Sequence, residues 1–250
     1  MRDMTLQASE RRALARWDNE GGAREHEAGP LPEPVIELAR RLGVTKPSSA
    51  KMVTLTQSGD MRLGKSTRRA RFQARQTIEV AETGFAWRAT AGPFGAISVC
   101  DAYSDSAGAL DVRLFGLIRL AQMDGPELAK GEIMRYLAEL PWAPDAILLN
   151  RSITWSVVNE RTFWVAAGSG FGCGAVRLDL DDDGRVGSIF APDRPYTHGK
   201  LIDERPWSGR FSDYRLQAGR WIPFAAEFSW TVDRNVSNYW RGTILSWEVA

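Results

Sequence analysis

Between Arg69 and Val80 the chain alternates with a period of two. Ala70, Phe72, Ala74, Ile78 and Val80 fall on one side, and Arg69, Arg71, Gln73, Arg75, Thr77 and Glu79 on the other. That period belongs to an extended strand, whose successive side chains point to opposite faces of a sheet. A strand this long with one dry and one wet face needs a partner layer on one side and water on the other, and antiparallel sheets meet that demand. The pattern recurs. Phe85, Trp87 and Ala89 follow a turn at Thr83-Gly84, and Ile222, Phe224, Ala226, Phe228 and Trp230 share one face of a strand over Trp221–Val232. Further strands are expected at 95–103, 109–115, 117–122, 153–158, 161–167, 176–180, 186–190, 211–216 and about 239–248. Gly116 marks a bulge or bend. Asn159-Glu160, Asp181-Asp182-Asp183-Gly184 and Ala218-Gly219 supply turns between them.

Two stretches switch to helical spacing. Residues 33–42 place Val35, Leu38 and Leu42 on one face, with Pro34 in the first turn and Gly43 closing the end. The second helix follows Asp124, which is placed to cap it with Glu127 as capping-box partner and Pro126 in the first turn. Its apolar stripe is Ala129, Ile133, Leu137 and Leu140; Glu132, Arg135 and Glu139 lie on an adjoining stripe, and Trp142–Leu149 adds a short helix. Residues 1–30 read as a peripheral helix (Leu6, Ala13, Leu14, Trp17) and a polar leader. Residues 31–250 read as one domain of the mainly β (α+β) class: a single curved antiparallel sheet, or half-barrel, of about ten to twelve strands with one or two helices on its concave face.

The chain has 250 residues, 44% hydrophobic and 25% charged, enough for a sizeable core. Its net charge of +1 offers no overall attraction to nucleic acid or to an acidic membrane surface. Two cysteines, Cys100 and Cys173, and two histidines, His26 and His198, are too few for a disulfide framework or a structural zinc site, so no metal and no cofactor is expected. No apolar run of about 18 residues is present, so no transmembrane segment is expected. The first residues lack the apolar core of a secretion signal, which makes the cytoplasm the expected compartment, or the cell envelope if translation starts upstream.

Several motifs promise chemistry and fail on context. Gly59-Asp60-Met61-Arg62-Leu63-Gly64-Lys65-Ser66 fits the phosphate-loop pattern, but a strand follows it where a helix N-terminus is needed. Gly168-Ser169-Gly170-Phe171-Gly172-Cys173-Gly174 is glycine-rich, yet it too leads to a strand and lacks the spacing of a nucleophile elbow. His198 sits in an expected long loop with no nucleophile matched to it. Cys100 and Cys173 read as small hydrophobic residues. Glu139 closes the main helix. It reads either as a surface carboxylate paired with Arg135 or as a cavity-facing group that orients a polar head or holds Arg210 or Arg241.

Three segments together carry a resemblance: Leu31-Pro32-Glu33-Pro34-Val35; Gly125-Pro126-Glu127-Leu128 leading to Arg135-Tyr136-Leu137-Ala138-Glu139-Leu140-Pro141-Trp142; and Trp207-Ser208-Gly209-Arg210-Phe211 running to Gly219-Arg220-Trp221-Ile222-Pro223. From about residue 31 onward the chain resembles an uncharacterised bacterial family of unknown function, from which no site residue transfers. The last hairpin, Asp213-Tyr214-Arg215, a glycine turn and Ile222-Pro223, is similar to the close of lipoprotein carriers of the LolA type. That resemblance implies one antiparallel sheet curled around helices, with acyl chains held inside.

The expected function is therefore non-enzymatic binding of a lipid or other apolar molecule. Its candidate lining is Phe72, Ile78, Phe85, Trp87, Trp142, Phe224, Phe228 and Trp230, with Glu139 as polar anchor and no catalytic residue. Two alternatives stand beside it. One is a scaffold acting through the N-terminal helix; the other is an enzyme using Glu139, Asp213 or His198 as acid or base.

Overall fold

Successive hairpins build nearly all of the sheet. A computed structural model describes residues 30–63, 68–168, 173–198 and 201–250, with the backbone alone at His198. Six strands form a first meander: β1 (Met52–Arg62), β2 (Arg69–Glu79), β3 (Phe85–Ala91), β4 (Ile97–Ser104), β5 (Ala107–Leu114) and β6 (Ile118–Met123). Seven form a second: β7 (Thr154–Asn159), β8 (Thr162–Ala167), β9 (Gly174–Leu180), β10 (Val186–His198), β11 (Leu201–Gln217), β12 (Arg220–Val232) and β13 (Asn235–Val249). The order is β6-β5-β4-β3-β2-β1-β13-β12-β11-β10-β9-β8-β7, so the meanders join where β1 pairs with β13 and leave β6 and β7 as opposite edges. All strand pairs are antiparallel. The mainly β half-barrel expected from the alternation forms, with thirteen strands among the described residues.

The curl brings the two edges within reach of a compact helical link. The chain leaves the sheet at β6 and re-enters it at β7, so residues 124–153 must link opposite edges. Thirteen strands laid flat would span roughly 58 Å at about 4.8 Å per strand. The linking helix α2 (Pro126–Ala138) is only about 20 Å long. It therefore lies inside the curl and packs on β5, β8, β9 and β10. A 3₁₀ turn (Leu140–Trp142) and the short helix α3 (Ala146–Leu149) complete the crossing. Helix α1 (Glu33–Arg41) buries Val35, Leu38 and Ala39, and Gly43 follows it at φ 90°. The bidentate pair of Arg220 with the fully buried Asp145, both bonds 2.8 Å, fastens α3 to β12.

Two local expectations need correction. Asp124 does not cap α2: Gly125 is the N-cap, at φ 103°, and no side chain bonds there. Residues 193–198 are not a loop, because β10 runs on to His198. Pro192 and Asp193 fall where the β10–β11 register shifts, between Ala191 and Arg194, and bulges tolerate proline. Gly116 sits in the turn between β5 and β6, where the bend was expected. The adjoining stripe of Glu132, Arg135 and Glu139 is largely buried, since the curl covers that side of α2 too.

The phosphate-loop pattern ends in a hairpin, with Arg62 opposite Arg69 and strand on both sides; Gly64–Ser66 lie outside the described residues. In the glycine-rich run, β8 pairs with β9 at Ala167↔Gly174, while residues 169–172 lie outside the described residues, as does the N-terminal helix expected within residues 1–29. Among the described residues no helix is long and apolar enough to cross a membrane.

Candidate functional site

Aromatic rings fill the inside of the curl. Trp87 on β3 meets Phe72 on β2 at 5.8 Å, Phe72 meets Trp240 on β13 at 5.5 Å, and Trp240 meets Phe228 on β12 at 5.6 Å. Phe228 stacks on Trp207 of β11 at 5.2 Å. Trp142, at the end of α2, lies against Phe211 and Trp240. Two glycines make room for these rings. A Cβ on Gly209 would come within 2.5 Å of Phe228, and one on Gly242 within 2.1 Å of Trp240.

The candidate lining residues Phe72, Ile78, Phe85, Trp87, Trp142, Phe224 and Phe228 are all buried, and Trp230 is half-buried. Sequence reasoning passed over Trp207, Phe211 and Trp240. Their signal was the same period of two, which on β13 is interrupted by a bulge between Gln57's and Thr56's partners, Ile244 and Ser246.

A polar cluster is embedded in this apolar interior. Arg135 of α2 donates from Nε to Glu139 Oε1 at 2.9 Å and from Nη1 to Asp101 Oδ2 on β4. Its guanidinium lies 4.7 Å from the Phe85 ring centroid and 5.2 Å from that of Trp87. Glu139 Oε2 accepts from Nε2 of Gln76, a fully buried residue on the inner face of β2. Glu139 thus keeps the partner expected of it, Arg135, but as a buried pair. Arg210 and Arg241 line the outer face instead. Arg194 of β10, 8% exposed, donates to the Gly131 carbonyl at 3.2 Å and lies over Trp207 at 4.2 Å. Trp87 Nε1 donates to Gln57 Oε1 at 2.8 Å.

Charge balance in the cluster turns on one proton. Three carboxyl groups, of Asp101, Glu132 and Glu139, face the guanidiniums of Arg135 and Arg194. Burial, reinforced by the neighbouring Asp101 charge, pushes Glu132 up to about 8. Burial also raises Asp101, although Arg135 and Arg194 oppose the shift. Burial disfavours the charged form of Arg135, but the surrounding Glu139, Asp101 and Glu132 outweigh it and hold the group cationic. Asp101 and Glu132 act on each other's ionisation, and a proton retained on Glu132 leaves two carboxylates against two guanidiniums. Asp101 Oδ1 and Glu132 Oε2 are both buried without a hydrogen-bond partner. Gln76 Oε1 also has no partner.

The other acid–base candidates lie elsewhere. Asp213 is exposed on β11 and paired with Arg215, whereas the backbone of His198 ends β10 opposite Leu201. Asp213 lies twelve residue steps along β11 from Leu201, roughly 40 Å of strand. Glu139's partners are Gln76 and Arg135, not Asp213. Cys100 faces the outer side of β4 and is not bridged to Cys173. Sequence reasoning missed Gln76, Asp101 and Arg194. Gln76 was legible as the one polar residue in the apolar series of β2, but the other two become neighbours only through the curl.

Solved structures to which the chain shows similarity have TM-scores below 0.5. A LolA superfamily protein from Nitrosomonas europaea shares 8% identity over 89% of this chain and 94% of its own, with a TM-score of 0.45. A domain of an outer membrane lipoprotein-sorting protein from Vibrio parahaemolyticus, so described with reserve, shares 10% over 86% and 91%, at 0.44. A DUF1329 family protein from Desulfovibrio piger shares 8% over 87% and 92%, at 0.43. No curated protein matches the chain in sequence. Residues 22–242 match the family of unknown function DUF6544, and the chain belongs to that family.

Proposed function

We propose that the protein binds an apolar molecule inside the curled sheet and that the buried cluster on α2 receives a hydrogen-bond-donating head on that molecule. One observation carries this reading: Gln76 Oε1 is buried without a partner, inside a wall of aromatic rings and beside the Asp101–Glu132–Arg135–Glu139 network. An unpaired buried acceptor costs about 1–3 kcal/mol, and a hydroxyl or amine at that point would recover it. Apolar walls with a few convergent polar groups are how small apolar ligands are held and oriented. The rings already pack on one another, so a ligand enters by parting α2 from the sheet and replacing those contacts.

The test is mass spectrometry of an organic extract of the purified protein against a mock-purified control. A stoichiometric apolar molecule bearing a hydroxyl or amine is the expected result, with Gln76→Leu retaining less of it. A clean extract, from protein that also fails to bind fluorescent fatty-acid probes, would sink the reading.

A further inference from the structure

Exposed apolar side chains gather at one end of the sheet. β1, β3 and β5 run in the same direction, so the β3–β4 and β5–β6 hairpins turn at a common end. β13 is antiparallel to β1, which brings the β12–β13 and β10–β11 turns to that end as well. Phe94 is fully exposed on the first of these tips, and Phe115, Leu117 and Ile118 are 68%, 86% and 60% exposed on the second. The two tips are bonded together, Phe115 N donating to Ala96 O at 2.6 Å. Leu201, Ile202 and Val236 are exposed farther round the same rim.

Phe94 and Phe115 hold φ values of 55° and 51°. That left-handed region is uncommon for bulky residues and favours glycine or asparagine, so the backbone bears strain to present two rings to solvent.

The strands behind these tips carry unbalanced positive charge. On the other half of the outer face, arginines stand opposite carboxylates on the next strand: Arg210↔Glu227↔Arg241↔Asp60↔Arg71. On β2 and β3, by contrast, Arg75 stands directly opposite Arg88, a like-charge pairing that costs stability. Arg113 and Arg119 are also register partners and share only Asp111. Arg75, Arg88 and Arg113 line an open groove of about 760 Å³ with Thr90 and Ser98.

We infer that this end of the sheet docks on an anionic lipid bilayer. Phe94, Phe115, Leu117 and Ile118 enter the headgroup–acyl boundary, where an inserted apolar face reaches about 5–10 Å deep. Arg113 and Arg119 lie within two residues of the tips, roughly 7 Å by strand rise, at the level of the lipid phosphates. Arg75 and Arg88 stand farther back, where a charge still lies within a Debye length, about 8 Å, of the surface. Exposed rings with arginines close behind them suit an anionic lipid surface, which takes apolar groups and positive charge together. The inference does not depend on a ligand inside the sheet.

Co-sedimentation of the full chain with phosphatidylcholine vesicles, and with vesicles enriched in phosphatidylglycerol, tests it. Binding to the second and not the first is expected, falling with added salt. Phe94→Ser with Phe115→Ser should weaken it by about tenfold or more, and Arg113→Gln or Arg119→Gln by about fivefold each. Thermal unfolding of the variants should match wild type, because these side chains are exposed. No sedimentation with either vesicle, or variants that bind as wild type does, would overturn the inference. Self-association of the wild type that the double serine variant abolishes would overturn it too, by giving the tips to a second copy of the chain.

Discussion

Glu132 links the site to pH. Its folded-state value of about 8 lies above the ordinary 4.5, so over that interval the folded chain holds a proton that the unfolded chain has released. Stability rises with pH where the unfolded state binds more protons; here the folded state binds more, so the Glu132 contribution falls as pH climbs from about 4.5 to about 8. Glu132→Gln cannot ionise. It should match wild type in urea unfolding near pH 5 and exceed it by on the order of 1–3 kcal/mol above pH 8. A wild-type profile flat across this window would mean that Glu132 is ionised throughout. Arg135→Met should behave oppositely, costing about 3–5 kcal/mol at neutral pH, because it strands the carboxylates of Asp101 and Glu139 in the interior. Little of this could be read along the chain. The spacing of Glu132, Arg135 and Glu139 on one side of a helix was visible, but surface charges show the same spacing. Only Asp101 and Gln76, from strands distant in sequence, make it a buried network.

The elements were far more legible than the site, because a period of two survives long strands. β2, β3 and β12 begin and end close to where their alternation does. β10 runs past the expected 186–190, and Pro192 falls at a bulge, where a strand tolerates proline. Helix α2 illustrates the converse. Its stripe of Ala129, Ile133 and Leu137 was legible, but Gly131, Met134, Tyr136 and Ala138 are buried as well, because the sheet wraps around the helix. The close approach of aromatic rings to glycine gives this packing a test. Gly242→Ala would drive a methyl into Trp240, whose ring is held by Phe72 at 5.5 Å and Phe228 at 5.6 Å and has little room to yield. A loss of about 1–3 kcal/mol is expected in urea unfolding, with a changed near-ultraviolet aromatic signal. Unchanged stability would mean that the aromatic interior is loosely packed, which would itself favour a space able to admit a ligand.

At the scale of the whole molecule, the question is where thirteen strands give way. The sheet joins its two meanders only at β1–β13, and a seam between meanders is an obvious place for such a molecule to open. Two contacts bolt it: Phe72 packs on Trp240 across the seam, and the two strands pair from Val53↔Val249 to Met61↔Trp240. On one side of the seam, Trp142 ties the helical crossing to β12 and β13. Its Nε1 donates to Pro223 O on β12 at 2.9 Å, and its own carbonyl accepts from Trp247 Nε1 on β13 at 2.7 Å. The edges have no such anchorage. β6 is exposed along nearly its whole length on both faces, and β7 is largely exposed. Local opening favours elements with few buried apolar contacts. Hydrogen exchange should therefore reach β6 and β7 first and the β1–β13 amides last, with the latter approaching the global unfolding free energy. Trp142→Phe, which removes the indole bond to Pro223, should accelerate exchange in β12 and β13 selectively. If β1 and β13 exchange early in the wild type, the molecule is instead two half-sheets hinged at the seam, and a ligand would enter there rather than beneath α2.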